Sequence, residues 1–222
     1  MIRIRQVSKR FGKVTALDEV ELTISAGERV ALIGTNGSGK TTLLRAMCGL
    51  LRVEGRVELY GRDVAKEPAQ ALAKLAYVPQ VAPPLDAPVK ELVRSICTLR
   101  ACAPAEVKAL AAKLGLDLEA VLNTRVRDLS GGMKQKLLAA LALAAHAPLL
   151  VCDEPTANLD AAARAAFFAE VDARPPEAIL ILCSHRLEEV RPYVHRVIEM
   201  KDGKVLRDIT VNDGDLSRRV MP

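Results

Sequence analysis

Hydrophobic residues occur in short runs that alternate with longer segments of helical spacing. Three of these runs are almost wholly apolar and end at turn residues: RVALIG (29–34), LLVCD (149–153) and AILILCS (178–184). Such runs are typical of parallel strands that are buried on both faces. Their alternation with helical segments predicts an α/β core.

Two other parts of the chain depart from this alternation. The opening third contains MIRIRQV, VELTI and GRVELYG, in which polar and apolar residues alternate, and these predict half-exposed antiparallel strands. Between about residues 83 and 147 the strand signals disappear, and Leu, Ala and charged residues recur at helical spacing. We therefore expect residues 83–147 to form a helical subdomain inserted into a core of residues 1–82 and 148–211.

The C-terminal part of the chain carries one further signal. Two β-rich runs flank Asp202 and Gly203, which is the residue pair of a tight hairpin turn. Residues 212–222 are expected to be a loose tail.

Composition and charge indicate a folded globular protein. Half of the 222 residues are hydrophobic, which is ample for a packed interior. The net charge is +5, and most basic residues lie among acidic ones, so we expect no direct binding of nucleic acid. The one basic segment, at the N-terminus, fits either the solvent face of an edge strand or attraction to anionic lipid or nucleotide. It consists of Arg3, Arg5, Lys9, Arg10 and Lys13.

The five cysteines and the lack of long apolar segments bear on location. The cysteines show neither CxxC spacing nor a His/Cys cluster, so we expect reduced thiols in the cytosol. No segment reaches the roughly 18 apolar residues needed to span a bilayer, and the N-terminus lacks the apolar core of a signal peptide. We expect the chain itself to stay outside the membrane.

A phosphate-binding loop is predicted at GTNGSGKT (34–41), which fits G-x-x-x-x-G-K-[ST] between a strand and a helical run. Glycines let backbone N–H groups curve around phosphate oxygens. Lys40 supplies a cation for the β- and γ-phosphates, and the Thr41 hydroxyl is a Mg²⁺ ligand. A glycine-rich turn without a ligand is the alternative, and it leaves the lysine and threonine unexplained.

Acidic and polar residues at strand ends complete this prediction. Asp153 and Glu154 follow a buried strand, so that Asp153 is expected to hold the metal, commonly through water, while Glu154 acts on the attacking water. Gln80 and His185 end two other predicted core strands, on the side where α/β folds bind ligands. Taken alone, each of these two residues is also compatible with having no function.

A second glycine-rich helix start lies at RDLSGGMKQ (127–135). Ser130 is a good N-cap, and Gly131 and Gly132 leave backbone N–H groups accessible at the positive end of a helix. The helix behind them carries no charge at residues 137–145, which predicts that it is buried.

Six motifs now stand in a characteristic order: GTNGSGKT, YVPQ, LSGGMKQ, LLVCDEP, ANLD and CSH. In this respect the chain resembles the ATP-binding subunit of ABC transporters, from about Ile2 to Val211. The resemblance implies the ABC ATPase fold, an α/β P-loop NTPase core with an N-terminal antiparallel β subdomain and an inserted α-helical subdomain. A P-loop kinase or GTPase does not account for LSGGMKQ.

The resemblance also implies roles for individual positions. Residues 34–42 correspond to the Walker A loop, Gln80 to the Q-loop, residues 129–135 to the signature, residues 149–154 to the Walker B strand, residues 158–160 to the D-loop, and His185 to the switch histidine. The implied catalytic residues are Glu154, His185, Gln80 and Lys40, and the implied metal-binding residues are Thr41, Gln80 and Asp153. The implied nucleotide-binding residues are Phe11, Gly34, Thr35, Asn36, Gly37, Ser38, Gly39, Lys40, Thr41, Thr42, Ser130, Gly131 and Gly132. Phe11 replaces the more usual tyrosine, so we expect stacking on adenine without the hydroxyl.

In the family, two subunits associate head to tail, and the signature of one closes over ATP held by the other. The resemblance therefore implies ATP and Mg²⁺ as cofactors, a homodimer or a pseudo-dimer with a related ATPase, and transmembrane permease subunits as partners. The expected location is the cytoplasm, at the inner face of the cell membrane. In the family, the helical insert and the segment after the Q-loop, here about residues 81–90, receive a permease helix. The three prolines of this segment also fit a hinge into the helical subdomain.

Two further questions are open at this point. A soluble ABC-type ATPase acting on DNA or ribosomes is the alternative function, although the inserted coiled coils or second cassette of those relatives are absent from these 222 residues. Within transporters, Met133 in the signature and the lack of room for a C-terminal regulatory domain favour an exporter of the ABC-2 type.

Overall fold

The computed structural model describes residues 1–211, so the expected tail lies outside the described residues. The chain divides into two compact units. Among the described residues, the first contains residues 1–75, 148–153 and 176–211, and the second contains residues 76–147 and 154–175. The helical subdomain boundaries at residues 83 and 147 stay a prediction.

An antiparallel sheet in the first unit has the strand order β2-β1-β4-β5. Its strands are β1 (Ile2–Phe11), β2 (Val14–Ile24), β4 (Glu54–Leu59) and β5 (Arg62–Asp63). Ile2 and Ile4 are buried while Arg3 and Arg5 are exposed, which confirms the half-exposed strands predicted for the opening third. The edge-strand interpretation of the basic segment is wrong, because β1 pairs with β2 on one side and with β4 on the other.

A second sheet in the first unit contains the buried parallel strands. Within this unit its order is β10-β9-β3-β8-β7, and only the β9–β10 pair is antiparallel. The strands are β3 (Arg29–Ile33), β7 (Leu149–Asp153), β8 (Ile179–Cys183), β9 (Arg196–Lys201) and β10 (Lys204–Thr210). Every residue of β7 and β8 is buried, as the continuous apolar runs predicted.

The predicted hairpin joins β9 and β10. Asp202 and Gly203 both have positive φ angles, 49° and 79°, as the inner positions of a type I′ turn require. The backbone of Ala16 lies close to Gly203 and leaves little space for a side chain there. The turn is thus held against the first sheet.

Helices are distributed over both units. The first unit contains α1 (Lys40–Met47), α2 (Pro68–Leu72), α8 (Leu187–Val190) and a 3-10 helix at Arg191–Tyr193. Strand β6 (Leu75–Val78) leads into the second unit. The second unit contains α3 (Val89–Arg100), α4 (Pro104–Lys113), α5 (Leu118–Val121), a 3-10 helix at Val126–Asp128, α6 (Gly131–Ala144) and α7 (Ala161–Asp172).

Helix α6 is the packing centre of the second unit. Leu137 and residues 139–144 are buried, which confirms the prediction made from the uncharged segment. Helices α4 and α7 both pack against α6, and its many alanines permit close approach. Over residues 1–211, no helix is long and apolar enough to cross a membrane.

We expect the Ser130→Ala variant to be less stable than the wild type by ~1 kcal/mol, because the Ser130 side chain caps α6 by accepting a hydrogen bond from the Met133 N–H. Urea unfolding followed by circular dichroism measures the change. Ser95→Ala is the matched control, because Ser95 is exposed in the interior of α3 and caps nothing. Equal midpoints for both variants would contradict the capping role.

Candidate nucleotide-binding site

The glycine-rich loop between β3 and α1 lies directly against backbone from two neighbouring elements. Gly34 has φ 143°, and a Cβ there would lie 2.2 Å from the Met200 carbonyl oxygen in β9. Gly39 has φ 103°, and its Cβ would lie 2.4 Å from the Ala16 carbonyl oxygen in β2. Only glycine fits either position, so the shape of the loop depends on these two residues.

Lys40 lies inside the curve of this loop. The residue is buried, with 8% of its surface exposed. Its Nζ donates hydrogen bonds to the carbonyl oxygens of Gly34 (2.8 Å) and Thr35 (2.9 Å). The loop is also braced from outside, because the Gly203 N–H donates to the Ser38 carbonyl oxygen at 3.1 Å. The chain therefore holds a cation within a rigid turn of backbone.

Asp153, the last residue of β7, faces the start of α1. The Thr41 hydroxyl donates to Asp153 Oδ1 at 3.2 Å. Asp153 is only 1% exposed, and its Oδ2 accepts no hydrogen bond from the described residues. A buried carboxylate oxygen without a donor is costly. Carboxylate and hydroxyl oxygens are ligands that Mg²⁺ prefers, so this pair fits a magnesium ion.

The negative charge of Asp153 also affects the pKa of a neighbouring thiol, that of Cys48. Burial, and then the charge of Asp153, raise the pKa of Cys48 to about 12. Cys48 therefore keeps its proton at neutral pH, and a protonated thiol is a poor metal ligand. Of these three side chains, only Thr41 and Asp153 could offer metal ligands on this side of the loop.

His185 belongs to the same edge of the second sheet. Strand β8 pairs in parallel with β7 and with β3, and Cys183 lies opposite both Asp153 and Leu32. The carboxyl ends of the three strands are therefore aligned, which brings His185, two residues beyond β8, to the edge where the phosphate loop begins. His185 is exposed.

Phe11 lies at the end of β1 with an accessible ring. The residue is 51% exposed, and Lys9 Nζ lies 5.4 Å from the ring centroid. Lys9 is itself held in place, because Nζ donates to the Arg52 carbonyl oxygen at 2.7 Å. A cation over one face of the ring is a favourable arrangement.

The second unit contains the other glycine-rich helix start. Ser130 caps α6 as predicted, with 3.2 Å between its hydroxyl oxygen and the Met133 nitrogen. Gly131 is exposed, and no atom lies within 4 Å of a Cβ built there. A Cβ at Gly132 would approach the Asn158 carbonyl oxygen to 3.1 Å. The first turn of α6 is thus open at Gly131 and packed at Gly132.

Gln135 is a functional candidate that the sequence analysis gave no individual role. It is 2% exposed, and its Nε2 donates to the carbonyl oxygens of Pro155 (3.1 Å) and Pro79 (3.4 Å). These carbonyls adjoin Glu154 and Gln80 in the chain, so α6 positions both peptides. The available signal was an amide close to the helical segment that was predicted to be buried, since a buried amide needs partners.

Glu154 has an unusual backbone conformation. It is almost fully buried, and its φ angle is 49°, in the left-handed region that non-glycine residues rarely adopt. Such strained positions concentrate at active sites. Gln80, two residues beyond β6, is exposed.

The structure therefore distributes the predicted residues over both units. Within the first unit it joins the phosphate loop to Asp153 and aligns the loop with His185. Within the second unit, hydrogen bonds from Gln135 connect α6 to the carbonyl groups of Pro79 and Pro155, which are next to Gln80 and Glu154 in the chain. The functional role of each residue stays a prediction.

The profile of the ABC transporter family matches residues 17–157. The chain belongs to the ABC transporter family. The ABC ATPase fold predicted from the six motifs is confirmed by solved structures of the family. One, the dimeric structure of a bacterial ABC transporter cassette, superimposes with a TM-score of 0.81 at 25% identity and covers 96% of this chain and 99% of that one.

Two curated ABC relatives match most of the chain. The phosphonates import ATP-binding protein PhnC of Frankia casuarinae is 33% identical, and the match covers 99% of this chain and 94% of the relative. The Nod factor export ATP-binding protein I of Paraburkholderia xenovorans is 30% identical, with coverage of 93% and 70%. Other relatives, putative ABC transporter ATP-binding proteins, are longer, and the chain spans only 37–43% of their length.

We expect the Gly34→Ala variant to lose about 3 kcal/mol of stability or to fail to fold, because the new methyl group would overlap the Met200 carbonyl oxygen. Gly131→Ala is the matched control, since its Cβ meets nothing within 4 Å. Thermal unfolding of both variants measures the difference. A wild-type melting temperature for Gly34→Ala would show that the loop does not lie against β9.

Proposed function

We propose that this chain is the ATP-binding and ATP-hydrolysing subunit of an ABC transporter. In this proposal it dimerises around two ATP molecules and powers substrate translocation by a separate permease. The observation that carries the proposal is the hydrogen bond between Thr41 and the buried Asp153, at the loop that encloses Lys40. Membership of the ABC transporter family supports it.

In this proposal the first unit binds the nucleotide. Backbone N–H groups of residues 34–42 surround the phosphates, and Lys40 contacts the β- and γ-phosphate oxygens. Thr41 and Asp153 would hold Mg²⁺, and Gln80, in the second unit, stays in the predicted ligand set. When bound, Mg²⁺ supplies positive charge against the β- and γ-phosphates. Phe11 stacks on adenine through its accessible ring.

Hydrolysis is assigned to Glu154, with support from two polar residues. The Glu154 carboxylate orients the attacking water and accepts its proton. Its position is constrained by its own left-handed backbone and by the hydrogen bond from Gln135 to the next peptide. His185 donates a hydrogen bond to the γ-phosphate, and Gln80 contacts the hydrolytic water.

The signature residues act on the nucleotide of a second copy. Ser130, Gly131 and Gly132 would present the positive end of α6 to the γ-phosphate held by the partner's Walker A loop. The open surface at Gly131 supports this assignment, as does the dimeric state in which a similar cassette was solved. The dimer is either a homodimer or a pseudo-dimer with a related ATPase.

The transport relatives support a permease as the partner. Residues 81–88 form no helix or strand before Pro88, and Val81 is exposed, as a docking segment for a permease helix would be. Binding there would hold the chain at the cytoplasmic face of the membrane. The relatives do not favour the alternative of a soluble ATPase acting on DNA or ribosomes. They include both import and export proteins, so export stays a prediction.

We expect the Glu154→Gln variant to bind ATP normally but to hydrolyse it at least about 100-fold more slowly, because the amide cannot accept a proton. Phosphate release measures turnover, and size-exclusion chromatography with ATP should show an accumulated dimer. Glu177→Gln is the matched control, because Glu177 is exposed and outside the proposed site. Unchanged hydrolysis in Glu154→Gln would remove Glu154 from the catalytic role.

We expect Ser130→Arg to reduce ATP-dependent dimerisation and turnover at least tenfold, which corresponds to about 1.4 kcal/mol. The bulky side chain would stand between the helix start and the partner's nucleotide, while ATP binding to the first unit stays normal. Ser130→Ala is the control, because it removes the cap without adding bulk. Analytical ultracentrifugation with ATP gives the readout, and a Ser130→Arg protein that still dimerises would refute the shared site.

A further inference from the structure

A short motif at the end of α3 brings two cysteines together. Ala101 has φ 53°, a left-handed conformation that ends the helix. The N–H of the following residue, Cys102, donates to the Cys97 carbonyl oxygen at 3.1 Å. This six-to-one hydrogen bond after a left-handed residue is the pattern of a Schellman motif.

The motif determines which side chains meet. In a Schellman motif, the residue after the left-handed position packs against the residue that lies three positions before the end of the helix, usually through apolar side chains. Here those two residues are Cys102 and Cys97. Cys97 is buried, with 5% of the residue exposed, whereas Cys102 is half-exposed.

We propose that Cys97 and Cys102 form a thiol–disulfide exchange site that reacts with low-molecular-weight disulfides. The hydrogen bond from the Cys102 N–H to the Cys97 carbonyl oxygen, at 3.1 Å, keeps the two Cα atoms within the distance of about 7 Å that a disulfide requires. None of these atoms belongs to the proposed nucleotide sites, so the site does not depend on the proposed function.

Exposure and protonation set the order of the steps. Burial, followed by the hydrogen bond to Cys102, raises the pKa of Cys97 to about 11, so Cys97 is a protonated thiol at neutral pH. Cys102 is the thiol that a small molecule reaches first. Its thiolate attacks the small disulfide, forming a mixed disulfide and releasing one small thiolate.

The buried thiol then completes the exchange. Cys97 loses its proton and attacks the Cys102 sulfur, which forms the Cys97–Cys102 bond and releases the second small thiolate. Two protein thiols are oxidised, one small disulfide is reduced to two thiols, and the two protein protons are taken up by the released thiolates. The product is a disulfide that closes the C-terminal turn of α3.

The other cysteines lack this arrangement. Cys152 lies opposite Leu182 and Cys183 lies opposite Asp153 in the parallel β7–β8 pair, so the two thiols point to opposite faces of the sheet. Cys48 is buried, with a pKa raised to about 12. These three thiols serve as internal controls.

The test treats the reduced 222-residue chain with oxidised glutathione, denatures it in the presence of N-ethylmaleimide to block the remaining thiols, and then digests the protein with trypsin. Cleavage after Arg100 separates the two cysteines, so the expected product is peptide 95–100 joined to peptide 101–108 by a disulfide. The count of free thiols should fall from five to three.

Variants separate the two steps. Cys97→Ala should accumulate a lasting glutathione adduct on Cys102, whereas Cys102→Ala should leave Cys97 unreacted. Cys48→Ala, the control, should form the same cross-link as the wild type. Circular dichroism checks the folding of each variant. If the buried Cys97→Ala substitution prevents folding, the comparison of wild type with Cys102→Ala decides.

Three results would overturn the proposal. These are a wild-type chain in which both thiols are still alkylated, a stable glutathione adduct on wild-type Cys102, or a disulfide that joins Cys102 residues of two chains.

Discussion

Close backbone contact around the phosphate loop is the constraint on which the rest of the structure depends. At Gly34 and Gly39 the loop lies against carbonyl oxygens of β9 and β2, at distances that exclude any Cβ atom. This contact connects both sheets of the first unit to one short segment. The curve that results encloses the Lys40 ammonium and directs Thr41 towards Asp153, so glycine at two positions orders three chemically active side chains.

A second connection between the sheets lies away from the loop. The Arg196 guanidinium in β9 donates to the Thr23 carbonyl oxygen of β2, to Glu28 and to Asp208. Its hydrogen bond with Asp208, despite partial burial, raises the pKa of Arg196 further above its usual value. The arginine is therefore permanently charged and hydrogen-bonded to all three residues. It helps to fix the spacing of β9 and β2, the two strands that lie against the loop.

The sequence predicted the elements whose signals are local. Continuous apolar runs identified β3, β7 and β8, alternation identified the antiparallel strands, and Ser130 identified the start of α6. Features that depend on distant partners were not predicted. The central position of β1 results from pairing with β4, some fifty residues away. The two hydrogen bonds of Gln135 need three separated segments, and the Cys97–Cys102 contact needs a left-handed alanine, which no composition rule predicts.

The double hydrogen bond of Gln135 has a mechanical consequence within the second unit. Gln135 lies about one helical turn beyond Gly131, on a helix whose interior is tightly packed. Because Gln135 and Gly131 belong to one continuous helix, a displacement of the first turn of α6 would also displace the two carbonyl groups that Gln135 binds, next to Gln80 and Glu154.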